Sequence, residues 1–365
     1  MVRKAAIVAL VAMSTVLLAG RAEPYPVFPD CDPLKLRERA AQTVMSGVPS
    51  TTVTEETKRL IKRNAGSVVL SSHNIANRDQ LKSLIKGLRK HAPHRLLVAV
   101  DEEGGRVSRL GSKGLVDYLP SARDLAATDT AHQVRKKGKR LGEQMRALGF
   151  DWNLAPVLDV TGAPDDTVIG DRSYSSEAKK AAAYGKAFAG GLKAAGIMTT
   201  GKHFPGHGRT STDSHDSLPT VDASLRQLKR RDLKPYVESR KKLDAVMTAH
   251  VVFTALDDDF PASLSRAATR LLRKYVDFKG LLMTDALGMG AITDHWSIPS
   301  AAAKAIRRGA DVALVTQWSE ANDIVEHLVS DVREGRTSEG RLNNAVERIL
   351  KAKGYSSEKV SCLLS

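Results

Sequence analysis

The stretch "GIMTTGKHFPGHGRTSTDSHDSLP", residues 196–219, joins an apolar run to an irregular segment carrying three histidines and two aspartates. The first part reads as a buried strand. The second holds enough Gly and Pro to forbid regular structure, so Lys202 and His203 fall at the end of the strand and His207, Asp213 and His215 on the loop that follows. Working outward, similar apolar runs recur at "GSVVLSS" (66–72), "RLLVAVD" (95–101), "FDWNLAPVLDV" (150–160), "DAVMTAHVVF" (244–253), "GLLMTDA" (280–286) and "DVALVTQ" (311–317). Between them lie segments such as "RDQLKSLIKGLRKH" and "SEAKKAAAYGKAFAGGLKAAG", with apolar residues at helical spacing. Strands alternating with helices predict a parallel sheet. Seven or eight such units in about 330 residues, without a linker, predict an α/β fold of one (β/α)8 TIM-type barrel over residues 23–365, with no second α/β sandwich domain.

The polar residues fall where such a barrel places its chemistry. Asp101, Asp159, Lys202, His203, His250 and Asp285 all sit at the C-terminal ends of predicted strands, the catalytic face of the fold. Asp285 follows an apolar strand, and a buried strand-end carboxylate is costly unless it is paired or used. His215 stands two residues after Asp213 in "DSH". A carboxylate beside an imidazole fixes its tautomer and raises its basicity, which suits a proton shuttle; the same three residues also suit a capped turn.

Composition bounds the alternatives. A hydrophobic fraction of 42% in 365 residues supports a sizeable core, and an aromatic fraction of 5% argues against a base-stacking nucleic-acid surface. Arg3 and Lys4 precede the apolar run "AAIVALVAMSTVLLAG", and "GRAEP" follows with Ala22 at a cleavage-like position. That order predicts a secretory signal peptide over residues 1–22 and a secreted or cell-envelope protein. The run is short for a spanning helix, which needs about 20 apolar residues. Without the leader the chain keeps 53 basic against 41 acidic residues, so it attracts anionic polymers such as those of a cell wall. The runs "VRKKGKR" and "LKRRDLK" read as solvated helix faces. Cys31 and Cys362, at opposite ends, would be free to pair in an oxidising compartment.

A histidine-rich loop first suggests metal. "HFPGH" has the i,i+4 spacing of a helical zinc pair, but Pro205 and Gly206 break the helix that would align the rings. No HExxH is present, and "GSVVLSSHN" supplies only His73, beyond the strand end, where a barrel metallohydrolase would carry His-x-His. The expectation is therefore no metal and no cofactor, with a metal-dependent barrel hydrolase kept as an alternative.

"KHFPGHG…DSH…LP", taken with "DEEGGRVSRL" (101–110), "IGDRSYS" (169–175), "MTAHVVF" (247–253) and "MTDALGMGAI" (283–292), resembles glycoside hydrolase family 3, specifically its β-N-acetylglucosaminidases. Five motifs in order span about 190 residues, and the strand–helix alternation extends the likeness to nearly the whole mature chain. The resemblance implies that Asp285 is the nucleophile forming a glycosyl-enzyme, and that His215, oriented by Asp213, is general acid and then general base. It implies that Asp101, Arg172, Lys202 and His203 hold the hydroxyls of the terminal sugar and that Arg106 supports the Asp101 loop. A retaining glycosidase ordinarily uses two carboxyl groups; here an Asp–His pair on a loop stands for the second.

Two departures from the family pattern matter. Arg209 follows HFPGHG where many relatives have Asp; it would either favour an anionic aglycone or be a neutral surface change. Ala163 and Thr167 stand where relatives often have Asn and Pro, which changes the expected shape of that loop while Arg172 is kept. The expected function is exo-acting, retaining hydrolysis of terminal N-acetylglucosamine from peptidoglycan fragments by a monomer. The alternatives are a β-glucosidase, transfer to phosphate on the same fold, or an inactive wall-binding barrel. Relatives that cleave glucosides usually take an acid/base glutamate from a second domain, which favours the Asp–His version here.

Overall fold

A computed structural model describes residues 32–365; the leader and Cys31 lie outside the described residues. Eight parallel strands form the core: β1 (Val44–Ser46), β2 (Ser67–Leu70), β3 (Leu97–Val100), β4 (Trp152–Asn153), β5 (Met198–Phe204), β6 (Ala245–Thr248), β7 (Leu281–Thr284) and β8 (Ala313–Val315). They pair in chain order, and β8 pairs with β1. A parallel bridge between Met283 and Val312 joins β7 to the start of β8 and closes the barrel.

The period-two alternation of a strand decides which side chains face inward. Met45, Val69, Leu97, Ala99, Trp152, Ala245, Met247, Leu281, Met283 and Leu314 make one apolar cluster in the barrel interior. Their neighbours Val44, Val68, Leu70, Val98, Val100, Ala313 and Val315 pack outward against the helices. Both faces are covered, which is why these strands read as unbroken apolar runs rather than as alternating ones.

The first strand has no counterpart among the predicted runs. Val44–Ser46 is three residues long, too short to carry a pattern, and is defined by its partners in β2 and β8. Two predicted runs are only partly strand. In 150–160, ladder pairing covers Trp152–Asn153 before the chain turns into Leu154–Pro156. In 244–253, β6 ends at Thr248, and Val252–Phe253 pairs instead with Thr220–Val221. That short parallel ladder ties the far end of the histidine-rich loop to the loop after β6.

Helices ring the barrel. Ala131–Leu148 and Ala178–Ala194 approach backbone to backbone because Gly191 has no side chain; a Cβ there would lie 2.3 Å from the Arg135 carbonyl oxygen. At the end of the barrel opposite the catalytic face, Lys353 is buried and donates to Gln42 Oε1 at 2.5 Å and to the Gly66 carbonyl at 2.7 Å. It thereby bridges the segments entering β1 and β2. Burial, aided by the nearby Arg95 charge, pushes its ammonium down to about 7. The ends of the described chain meet where Leu34 N–H donates to the Leu363 carbonyl at 2.9 Å. Cys362, in the last helix, is disulfide-bonded.

Replacing Lys353 with Met leaves two buried oxygens without a donor. We expect a loss of about 1–3 kcal/mol in urea unfolding. The folded-state pKa lies below the unfolded value of about 10.4, so the folded protein releases this proton first. The wild-type margin over K353M therefore widens as pH rises from 7 toward 10. A margin that stays flat or shrinks over this range would show that Lys353 stays charged in the folded state.

Candidate active site

Past β3, Asp101 leads into a hairpin in which Glu102–Gly104 pairs with Val107–Ser108. Glu102 turns into the protein and accepts from Ser108 Oγ at 2.5 Å, Leu110 N–H at 2.6 Å and Arg109 N–H at 2.8 Å, which fixes the hairpin. Burial pushes its carboxyl up, and these donors oppose the shift. Glu103 faces the site. Arg172 grips it bidentately, Nε and Nη2 each 2.9 Å from a carboxylate oxygen, and Lys202 Nζ lies 2.6 Å from Oε1. Lys202 also reaches Asp101 Oδ1 at 2.6 Å. Burial alone would raise the Glu103 carboxyl, but the Arg172 and Lys202 charges hold it well below the usual carboxylate range. Burial likewise opposes the Lys202 ammonium, and Asp101 and Glu103 overcome it. Two carboxylates and two cations thus form one neutral network at the ends of β3 and β5, with Arg172 supplied by the loop after β4.

A second buried carboxylate organises the next segment. Asp159 accepts from His203 Nδ1 at 2.7 Å, from the His203 backbone N–H at 3.3 Å and from the His207 N–H at 2.6 Å. With Nδ1 donating to Asp159, His203 presents Nε2 to the site, 3.5 Å from Arg172 Nη2. His207 turns away from solvent, its Nε2 3.1 Å from Ser214 Oγ. Arg209 does not stand free on the loop. Its Nε lies 2.8 Å from Oδ2 of the buried Asp232, and this ion pair pins the base of the loop.

The loop presents the dyad. Asp213 Oδ1 accepts from His215 Nδ1 at 2.8 Å and from its backbone N–H at 2.9 Å, which leaves Nε2 on a ring whose side chain is 68% exposed. Burial raises the Asp213 carboxyl, but the His215 backbone and ring donors bring it below its ordinary value. Gly290 N–H donates to the His215 carbonyl at 2.9 Å, and Ala291 N–H to the Ser214 carbonyl at 3.2 Å. A Cβ on Gly290 would lie 2.7 Å from the carbonyl oxygens of His215 and Asp216. The loop after β7 therefore docks the dyad, five residues beyond Asp285.

Asp285 is partly exposed at the end of β7; its backbone N–H donates to the Thr248 carbonyl at 3.1 Å, and its Oδ1 accepts from Ala286 N–H at 2.8 Å. Burial raises its carboxyl, but His203, His250, the Ala286 N–H and Lys202 together hold it below the ordinary value. His250 is buried with both ring nitrogens engaged, Nδ1 2.7 Å from Ser263 Oγ and Nε2 3.0 Å from the Ala286 carbonyl, so it braces the Asp285 turn. Arg106 ties the Asp101 hairpin to the loop after β4. Its Nε lies 2.9 Å from Asp171, and it donates to the Val168 and Ile169 carbonyls at 3.2 and 3.1 Å, so it holds the loop that carries Arg172. The departures at Ala163 and Thr167 fall in this same loop, where Arg123 also donates to the Ala163 carbonyl at 2.8 Å. Among the described residues, no group of three or more His, Cys, Asp or Glu side chains converges on a metal position.

Two substitutions test this architecture. Glu103→Gln removes the charge that Arg172 and Lys202 share, and we expect kcat/KM to fall by at least about a hundredfold with a lowered Tm. Gly290→Ala displaces the dyad loop without touching a site side chain, and we expect kcat to fall about tenfold or more with KM and Tm nearly unchanged. Wild-type kinetics in G290A would mean that the dyad loop does not need this dock.

The model of the glycosyl hydrolase family 3 N terminal domain matches residues 35–352. The beta-hexosaminidase LpqI of Mycobacterium tuberculosis is 42% identical over 269 residues, covering 72% of this chain and 69% of its own length. The beta-hexosaminidase of Haemophilus influenzae is 36% identical over 271 residues, covering 73% of this chain and 76% of its own. Among solved structures, the family 3 β-N-acetylglucosaminidase from Paenibacillus superposes with a TM-score of 0.85 at 32% identity, over 90% of this chain and 68% of that one. M. tuberculosis LpqI superposes with a TM-score of 0.83 at 36% identity, over 90% of this chain and 98% of that one. With the barrel and its strand-end carboxylates described, these matches establish that the chain belongs to glycoside hydrolase family 3, in its β-hexosaminidase branch.

Proposed function

We propose that the protein is an exported, exo-acting, retaining β-N-acetylglucosaminidase that removes terminal N-acetylglucosamine from peptidoglycan fragments, acting as a monomer. The observation that carries the reading is the pairing of a carboxylate held ionised, Asp285, with an Asp213–His215 dyad docked on the loop that follows it. Export rests on the basic–apolar–small order of the leader, and the wall substrate on export together with the basic charge.

In the first step an Asp285 oxygen attacks the anomeric carbon as the glycosidic bond breaks, and His215 Nε2–H gives its proton to the departing oxygen. The product is an ester between Asp285 and the sugar. In the second step His215, now neutral, takes a proton from water as the water oxygen attacks the anomeric carbon, and Asp285 leaves as carboxylate. Asp213 holds Nδ1–H throughout, keeping Nε2 as the nitrogen that exchanges protons. Asp101, Arg172, Lys202 and His203 bind the hydroxyls of the terminal sugar, with Arg106 steadying the Arg172 loop. The charged network is rigid before substrate arrives, so little of the binding energy goes into ordering it.

The test is nitrophenol release from the β-N-acetylglucosaminide, with the β-glucoside as control and a chelator in one set. We expect release from the first substrate, unaffected by chelator, and a loss of at least about three orders of magnitude in Asp285→Ala. Turnover surviving in D285A would remove the nucleophile assignment. Because the Asp285 carboxyl lies below its ordinary value, activity is not lost through it until pH falls under about 3.9, the sign expected for a carboxylate that must be ionised.

A further inference from the structure

The positive charge of this protein is not spread over its surface. Residues 131–148, 178–194 and 225–242 carry 18 Lys and Arg against three Asp and Glu, an excess of 15. That equals the formal net charge of the whole chain, +15, so the remaining residues are balanced, with 38 of each sign. The three segments hold the consecutive crossover helices between β3 and β6, and they are neighbours in space: Ala131–Leu148 packs on Ala178–Ala194, which packs on Lys234–Ser239. Gly190, on the middle helix, lies between cations of the outer two segments. A Cβ on it would lie 3.7 Å from Arg135 Nε and 3.9 Å from Lys242 Cδ.

Some of these cations are neutralised locally, as in Lys137–Asp129, Lys139–Glu143 and Lys193–Asp244. Lys136, Lys179, Lys186, Arg230 and Lys241, spread over all three segments, are exposed and, among the described residues, ion-paired with no carboxylate. Like charges held this close raise the local potential and repel one another, a cost that an external anion relieves. We propose that this flank is a docking surface for a flexible phosphodiester polymer of the cell wall. The identity of that polymer rests on the export reading above; the surface itself does not.

The composition of the flank favours a flexible polymer over the other polyanions. Among the described residues the exposed large apolar side chains are Tyr118 and Tyr275. Only Tyr275, under Lys229 Nζ at 4.8 Å, borders the flank, so the flank offers a single aromatic ring and no apolar stripe to enter a bilayer. An aromatic fraction of 5% gives little for bases to stack on. Lysine outnumbers arginine eleven to seven in the three segments, which suits diffuse attraction to a mobile chain of phosphates better than bidentate reading of fixed ones. The helices run along the outside of the barrel, so a chain bound there leaves the catalytic face open. Docking would hold the enzyme beside its substrate without occupying the site.

The experiment uses the full mature chain and a fluorescent synthetic poly(glycerol phosphate) of about 20 units, with anisotropy read at 50 and 200 mM salt. We expect binding at the lower salt that weakens at least tenfold at the higher. A variant with Lys136, Lys179, Lys186, Arg230 and Lys241 all changed to Gln should bind at least tenfold more weakly while hydrolysing the nitrophenyl glycoside within twofold of wild type. Wild-type affinity in that variant, or no binding by wild type at 50 mM salt, overturns the proposal. Tighter binding to anionic lipid vesicles or to duplex DNA at equal phosphate concentration overturns the choice of polymer. An enzyme that binds the polymer but cleaves no glycoside refutes the glycosidase reading and leaves this one standing.

Discussion

Glu103 is the residue on which the charged wall of the site depends. Its carboxylate is almost wholly removed from water and is stable there only because Arg172 and Lys202 surround it. Those cations are equally dependent on Glu103, since an ammonium or guanidinium buried without a counter-charge costs several kcal/mol. The interaction joins elements about 100 residues apart: the turn after β3, the loop after β4 and the end of β5. Closing the barrel brings the three strand ends together, and the ion network then sets the positions of the side chains. Asp101 and His203 Nε2 remain available at its edge.

The other half of the site is built differently. The loop that follows Asp285 meets the dyad loop through backbone contacts, Gly290 and Ala291 donating to the carbonyls of His215 and Ser214. Only the base of the loop is tied by charge, through Arg209 and Asp232. This division suits a two-step reaction. In the proposed mechanism the wall would hold the sugar without moving, whereas the proton carrier would admit a leaving group and later a water. His215 is among the more exposed residues of the site, and Asp159, which aligns its neighbour His203, is fully buried.

Much of this was legible in the residues, for stated reasons. Strands buried on both faces read as apolar runs, and seven of the eight were visible as such; the first, Val44–Ser46, is too short to show a period and exists by virtue of its neighbours. Strand-end Asp101, Lys202, His203 and Asp285 were recognisable because a charge directly after an apolar strand is costly unless used. Glu103 was hidden in "DEEGG", where three acidic residues adjoin and only the backbone path tells which faces the site and which, like Glu102, pins a hairpin. Asp159 and His250 were legible as strand-end groups, but whether such a group touches substrate or braces a loop depends on contacts that spacing does not encode. Arg106 was placed on the right hairpin, but its reach to Asp171 crosses between loops and was not legible from spacing. The concentration of charge on one flank was legible only in part, because runs that look like separate solvated faces become one surface when three helices pack side by side.

The central claim is that Asp285 forms a covalent bond to the sugar and that His215 serves twice. The most direct test is proton NMR of the anomeric region during the first minutes of hydrolysis of a β-N-acetylglucosaminide, before the released sugar mutarotates. Double displacement through Asp285 releases the β-anomer of N-acetylglucosamine first, with the α-anomer appearing only by later equilibration. Initial release of the α-anomer would mean direct displacement by water, with Asp285 acting as a base rather than a nucleophile, and would contradict the central claim.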